Sequence, residues 1–215
     1  MTDTLEPRTV FVIDDDASFL RSLARLLTAV GYAVESYVAA DDFLGRPAPE
    51  RAGCVVADLQ MPGINGLQLQ EMLRVSDNPL PVIFLTGQGD IPTTVSAMRS
   101  GAEDFLTKRA PKEDLLAAVE RAMLRDTRER QQRQRQRELG RRLDELSARE
   151  KEVLSHVVRG KMNKEIADAL NINLRTVKLH RTNLTRKLNV QSVAELTRIA
   201  EESGRFKPSP GPSPT

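Results

Sequence analysis

The sequence predicts two domains of different class. The first is an α/β domain of five βα units built on a parallel sheet, and the second is a small all-α domain of four helices that contains a helix-turn-helix. Three observations predict this. Short apolar runs bounded by turn residues alternate with helical apolar stripes up to about residue 124. Only helical stripes follow residue 139. The charge also divides: residues 1–124 carry 11 Lys and Arg against 18 Asp and Glu, whereas residues 125–215 carry 21 against 12. An acidic part joined to a basic part suggests two jobs, with the basic part beside a polyanion or simply presenting a solvated face.

The elements follow in order. Val10–Ile13 is an apolar run that ends in Asp14, Asp15 and Asp16 and reads as a buried strand. Phe19, Leu20, Leu23, Leu26, Leu27 and Val30 recur at helical spacing and are closed by Gly31. Tyr32–Tyr37 reads as a second strand, and Ala40–Leu44 as a short helix. Gly53–Asp58 is a third strand, ended by Asp58 and a Pro62-Gly63 turn. Leu67, Leu69, Met72 and Leu73 mark a third helix. Pro81–Gly87 is the fourth strand, Thr94–Gly101 a helix, Asp104–Lys108 the fifth strand and Glu113–Leu124 the fifth helix. Runs this apolar are expected in a sheet covered on both faces, with right-handed crossovers.

Open parallel sheets place their ligands at the carboxyl ends of the strands. Here those ends supply Asp14, Asp15, Asp58, Thr86 and Lys108. Crowded carboxylates repel, and a hard divalent cation such as Mg²⁺ relieves the repulsion with oxygen ligands. A hydroxyl and an ammonium suit phosphoryl oxygens. The set reads as a nucleophilic carboxylate, Asp58, that forms an aspartyl phosphate. Cys54 sits inside an apolar run and reads as a buried, inert thiol. The polar, acidic stretch Met1–Arg8 is unlike a signal peptide, and no segment reaches the length of an apolar membrane span. A cytoplasmic location is expected.

The stretches Val12-Ile13-Asp14-Asp15-Asp16, Asp58-Leu59-Gln60-Met61-Pro62-Gly63, Leu85-Thr86-Gly87-Gln88-Gly89-Asp90 and Gly101–Lys108 resemble a response-regulator receiver domain over residues 8–125. The resemblance implies a flavodoxin-like fold and phosphate received from a sensor histidine kinase. It implies Asp58 as phosphoacceptor, Asp15 as a direct Mg²⁺ ligand and Asp14 as one largely through water. The Gln60 carbonyl would be a further ligand, with Thr86 and Lys108 on the phosphoryl group. Thr86 and Phe105 would form the switch, and Asp16 would cap the next helix. The family usually has Pro directly after the Lys, often with a cis bond, whereas this chain has Arg109. A non-proline cis bond costs about 3 kcal/mol, so the loop is expected to go trans or to shift.

No Pro or Gly interrupts residues 112–139, and a continuous helix is plausible there. Residues 127–138 lack apolar a and d positions. That part of the 126–145 linker therefore reads as a solvated helix or tether rather than a coiled coil, and its Arg run as a solvated surface before a DNA contact. Leu139, Leu143 and Leu146 resume a stripe expected to pack on the second domain. Ser147-Ala148-Arg149-Glu150 is a capping box, and Gly160 ends its helix. Asn163 is expected to cap a second helix, Asn173 a third over Leu174–Leu188, and Ser192 a fourth.

The third helix divides by angle. At about 100° per residue, Val177, Leu184 and Leu188 share one stripe, while Arg175, Lys178, Leu179, Thr182 and Arg186 lie opposite. That face can read base edges in a major groove, with Leu179 against a thymine methyl. Arg175 and Thr176 suit phosphates near the helix start, and Lys187 and Lys164 could add more. His156 and His180 have no acidic or Cys partners at metal spacing. The stretches Leu146–Leu154, Gly160–Ala167 and Arg175–Arg181 resemble the LuxR-type helix-turn-helix of NarL/FixJ regulators over about residues 146–200. The resemblance puts Lys178, Leu179 and Thr182 at base-reading positions. A DNA-binding domain is expected over 146–204, followed by a disordered tail over 205–215.

Together the two resemblances imply a transcriptional response regulator. It would dimerise on phosphorylation, bind double-stranded promoter DNA, work with RNA polymerase and activate transcription, without a membrane partner. Two alternatives stay open: a phosphorylation-independent DNA-binding regulator with a vestigial receiver, and a phosphohydrolase with Asp58 as nucleophile. The second would commonly need an acid two residues on, where this chain has Gln60.

Overall fold

The computed structural model describes residues 8–46, 52–76, 79–87 and 91–203. The expectations for Gln88-Gly89-Asp90, for the first seven residues and for the tail over 205–215 lie outside the described residues. The described residues form two compact units that divide between Arg130 and Gln131.

The first unit alternates strands and helices: β1 (Thr9–Ile13), α1 (Ala17–Ala29), β2 (Ala33–Tyr37), α2 (Ala40–Leu44), β3 (Gly53–Asp58), α3 (Gly66–Arg74), β4 (Val82–Thr86), α4 (Ile91–Arg99), β5 (Asp104–Thr107) and α5 (Lys112–Asp144). The sheet order is β2-β1-β3-β4-β5, with every neighbouring pair parallel. The flavodoxin-like fold expected from the sequence is therefore present.

Strand periodicity of two explains how one sheet makes two cores. Phe11, Ile13, Val55, Ala57, Val82 and Phe84 face Phe43 of α2, Leu69 and Leu73 of α3, and Ala97 of α4. Val10, Val12, Cys54, Val56, Ile83 and Leu85 face Leu20, Leu23 and Leu27 of α1 and Leu115, Val119 and Met123 of α5. β3 is buried along its whole length, whereas the edge strand β2 is exposed at three of its five positions. Burial pushes the Cys54 thiol well above its ordinary pKa, which keeps it protonated and inert. In α3 Met72, expected on the apolar stripe, turns to solvent, and Gln70 is buried, donating to the Ala97 carbonyl at 3.3 Å.

Helix ends follow their chemistry. Asp16 accepts from Ser18 N and Phe19 N at 2.8 and 3.2 Å and so caps α1. Gly66 opens α3 where a Cβ would lie 2.6 Å from the Asp58 carbonyl oxygen and 2.8 Å from Phe84 Cε1. Only glycine lets the helix start that close to the strand.

The continuous helix expected after residue 112 runs as α5 to Asp144. Its early turns pack on the sheet through Leu115, Ala118, Val119, Ala122 and Met123. Its last turns pack through Leu139 and Leu143 into the core of the second unit. The other helices of that unit are α6 (Ala148–Val158), α7 (Asn163–Leu170), α8 (Leu174–Leu188) and α9 (Val193–Glu202). Val153, Leu154, Ile166, Val177, Leu184, Leu188 and Leu196 close its interior.

Three of the four expected caps form. Ser147 and Glu150 make a reciprocal capping box, Asn173 accepts from Arg175 N at 2.9 Å, and Ser192 accepts from Glu195 N at 3.1 Å. Asn163 does not cap α7. It is the first helical residue, Met162 holds the cap position, and the Glu165 carboxylate accepts the Met162 N–H at 2.6 Å. A carboxylate one turn in can reach back to that amide and makes a side-chain cap at the preceding position unnecessary. No helix among the described residues is long and apolar enough to cross a membrane.

Candidate functional site

Strand register builds the first site. Ile13 pairs with Ala57, so Asp14 and Asp58 follow side by side at the ends of β1 and β3. Thr86 pairs with Thr107 across β4 and β5, and the next residue, Lys108, donates its amide to the Thr86 carbonyl at 2.8 Å. Lys108 therefore leaves the sheet at the same rim as the acids. The peptide bonds of the described residues, including the one after Lys108, are all trans.

Asp14, Asp15 and Asp58 bring carboxylate oxygens within 4.8 Å of one another. Asp14 and Asp58 are buried and Asp15 is exposed, so the cluster opens on one side. The Lys108 ammonium bridges the two buried acids, with Nζ 2.6 Å from Asp14 Oδ2 and 2.7 Å from Asp58 Oδ2. It also stands 4.7 Å from the centre of the Phe19 ring, within reach of a cation–π attraction. Two backbone amides complete the inner contacts: Asp16 N donates to Asp14 Oδ1 at 2.9 Å, and Gln60 N to Asp58 Oδ1 at 3.3 Å. The Gln60 main chain thus lies against Asp58, while its side chain is exposed.

Electrostatics follow from this packing. Burial raises the Asp14 carboxyl above its ordinary pKa, and the bond from Lys108 only partly opposes it. Burial would pull the Lys108 ammonium down, but the bonds to Asp14 and Asp58 and their charges outweigh it, so its pKa rises. An ammonium held between two acids does the work that a small hard cation would do there. The donor set is carboxylates and a nearby carbonyl-bearing turn, the chemistry that Mg²⁺ accepts.

Thr86 is buried at 1% exposure at the end of β4. Phe105 is half-buried and pairs with Phe84 across the ladder, the ring centres 6.2 Å apart and the planes tilted by 53°. Of the residues singled out in the first unit, Asp14, Asp15, Asp58 and Lys108 converge directly. Thr86 and Phe105 lie on the two strands that lead to the same rim.

The second candidate site is α8. Val177, Leu184 and Leu188 are fully buried, while Arg175, Lys178, Leu179, Thr182 and Arg186 are exposed, Leu179 at 58%. Thr176 is half-buried beside them. An exposed leucine among cations suits a groove that offers methyl groups. Lys164 is exposed, but Lys187 is not available in the way the sequence suggests. Its Nζ lies 2.8 Å from Glu150 Oε2 and donates to the Glu145 carbonyl at 3.2 Å, so it braces α8 against the start of α6.

Sequence reasoning missed two residues. Asp126 is buried at 3% exposure and accepts the Gly53 amide at 2.9 Å, so an acid counted as the first residue of the linker fastens α5 to the start of β3. Its place four residues after Ala122 on the buried stripe was the available signal. Arg181 donates from Nη1 to Asn163 Oδ1 at 2.6 Å, linking α8 to the first residue of α7.

Comparison with known proteins finds relatives for both units. The family model described as "Response regulator receiver domain" matches residues 10–120, and that of bacterial regulatory proteins of the luxR family matches residues 144–200. The chain is 40% identical to the transcriptional regulatory protein FixJ of Azorhizobium caulinodans, over 98% of this chain and 99% of that one. It is 38% identical to the response regulator protein TodT of Pseudomonas putida, over 89% and 85%. Among solved structures, that of the response regulator StyR covers 91% of this chain and 99% of its own at TM-score 0.77 and 44% identity. Full-length FixJ from B. japonicum covers 93% and 98% at TM-score 0.56 and 34% identity.

Proposed function

Because the chain belongs to the response regulators that join a receiver domain to a LuxR-type DNA-binding domain, and so is a DNA-binding regulator of transcription, we propose that Asp58 is its phosphoacceptor and α8 its base-reading helix. The observation that carries the first assignment is the meeting of Asp14, Asp15 and Asp58 with Lys108 at one rim of the sheet.

A carboxylate oxygen of Asp58 attacks the phosphorus of a phosphohistidine on a sensor histidine kinase. The P–N bond breaks, and the imidazole leaves with the electron pair of that bond. Lys108 turns from Asp58 to the new phosphoryl oxygens, which carry more charge than the carboxylate it leaves. Thr86 adds a hydroxyl donor. Asp14, Asp15, Asp58 and the Gln60 carbonyl would hold Mg²⁺, which would offset the charge gathered when the phosphoryl group arrives.

Phosphorylation adds charge and acceptor oxygens rather than neutralising the site. As Thr86 is drawn toward them, Phe105 repacks; without a phenolic hydroxyl it can move only by packing. The face of α4, β5 and α5 then favours a homodimer. Two copies of α8 on successive half-sites of promoter DNA gain affinity through effective concentration. Bound there, the dimer engages RNA polymerase and activates transcription.

Acetyl phosphate with Mg²⁺ should label the wild-type chain once per chain and leave Asp58→Asn unlabelled. No label on the wild type defeats the reading, and rapid multiple turnover would favour a phosphohydrolase. For α8, Lys178→Ala and Thr182→Ala should relax sequence preference on a selected duplex, each by about 1–3 kcal/mol of discrimination. Undiminished preference would remove α8 from the role.

A further inference from the structure

Arg181 occupies neither the buried stripe of α8 nor its outward face. At about 100° per residue it falls on the flank between Val177 and Lys178, the flank turned toward α7. There Nη1 donates to Asn163 Oδ1 at 2.6 Å, and the side chain is half-buried.

The chemistry of the acceptor is what matters. Several cations of this unit lie against carboxylates, among them Lys187 against Glu150 at 2.8 Å, Arg135 against Glu202 at 2.9 Å and Arg149 against Glu152 at 2.6 Å. Arg181 is held by a neutral amide and has no ion pair among the described residues. An amide fixes the guanidinium without cancelling its charge, and leaves the rest of its five N–H donors for another acceptor. The amide end of α7 is closed by Glu165, whose carboxylate takes the Met162 N–H at 2.6 Å. The guanidinium, not the helix end, is therefore the group here with charge to give an anion.

Its position names the anion. When the second helix of a helix-turn-helix lies in the major groove, the first crosses the sugar-phosphate backbone. The Arg181–Asn163 link ties the middle of α8 to the first residue of α7, so the guanidinium lies between the helix that enters the groove and the one that crosses the backbone. We propose that Arg181 is a DNA phosphate contact set in advance by Asn163, a positioning residue. This rests on α8 being the helix that enters the groove. Preorganisation by Asn163 removes part of the ordering entropy a free arginine would lose on binding. Because a phosphate carries no sequence information, the contact acts equally on every duplex.

Two conservative variants of the full chain test it. Arg181→Gln keeps a donor for Asn163 and removes the charge. Asn163→Asp keeps the acceptor and cancels the charge. The probes are a duplex selected from a random pool by the full chain and an unrelated duplex of equal length, each titrated with salt. Arg181→Gln should weaken both duplexes by the same factor, about three- to tenfold, and lower the slope of log K against log salt by about 1. Asn163→Asp should act in the same direction with an undiminished melting temperature, and the double variant should lose less than the sum. A purely structural link predicts the reverse, since a charged acceptor strengthens the bond and binding would hold. An unchanged slope for Arg181→Gln, a loss confined to the selected duplex, or wild-type binding by Asn163→Asp overturns the proposal. Lys178→Ala measured alongside separates the two readings. If it keeps full sequence preference while Arg181→Gln lowers the slope, the base-reading assignment falls and the phosphate contact stands. The opposite pattern removes only Arg181.

Discussion

At the scale of single residues, the Asp58 rim is set by contacts too short to admit an extra atom. Gly66 is the clearest case, because a Cβ there would meet the Asp58 carbonyl at 2.6 Å and Leu59 Cα at 3.0 Å. Both are backbone atoms and cannot rotate away. Gly66→Ala should cost about 1–3 kcal/mol in urea unfolding and slow labelling by acetyl phosphate, since the end of β3 must shift. A loss below about 0.5 kcal/mol would show that α3 slides freely. The residue types at this rim were legible in sequence, because each followed a strand run and strands alternating with helices make a parallel sheet whose carboxyl ends share one rim. The Lys108 bridge was not. Its partners depend on how far a four-carbon stem reaches between Asp14 and Asp58, a distance that no local pattern encodes. Arg181 escaped for a related reason: a flank position is neither core nor surface, and its link to Asn163 spans 18 residues.

At the scale of elements, helix ends show where local signals suffice and where they are replaced. Ser147, Asn173 and Ser192 cap as their types require, whereas Asn163 yields to Met162 because Glu165 reaches back. α4 begins at Ile91, three residues before the start at Thr94 read from the sequence, since a proline is tolerated in a helix's first turn. The start of α6 carries a pH dependence. Burial would raise the Glu150 carboxyl, but the bond from Lys187, the bonds at Ser147 and the Lys187 charge outweigh it, so its folded pKa lies below the ordinary 4.5. A lowered folded pKa contributes stability that is complete above 4.5 and is lost as pH falls through the folded value. Glu150→Gln keeps an oxygen for the Ser147 amide but loses the charge paired with Lys187, and should therefore destabilise the second unit by about 1 kcal/mol at pH 7. The gap from wild type should close below pH 4.5, as followed by thermal melting across pH. A gap that persisted unchanged into acid would assign the loss to packing instead of charge.

At the scale of the whole molecule, the question is which part of the chain each core owns. Composition placed a helical linker over residues 126–145, solvated from 127 to 138 where the side chains are nearly all charged or amide, with Leu139, Leu143 and Leu146 expected to pack on the second domain. The stretch divides between the two units. Asp126 is fastened to Gly53 in the first unit, while Leu139, Leu143 and Leu146 are 6%, 1% and 4% exposed in the core of the second. The leucine stripe was legible from its helical spacing, whereas the buried acid was not, since one Asp beside arginines hardly alters a local average. The C-terminal core is therefore incomplete without the last turns of α5. Burying a leucine contributes about 1.5–3 kcal/mol, and a domain this small holds only a few kcal/mol of net stability. Losing Leu139 and Leu143 should remove most of it. Arg142, which donates to the Leu188 carbonyl at the end of α8, would be lost as well. A fragment starting at Gln131 should melt cooperatively and bind the selected duplex. One starting at Glu145, which keeps all of α6 to α9, should melt at a much lower temperature or without a sharp transition. Equal melting of the two would mean that α6 to α9 close their own core, and that the leucines of α5 only lie against it.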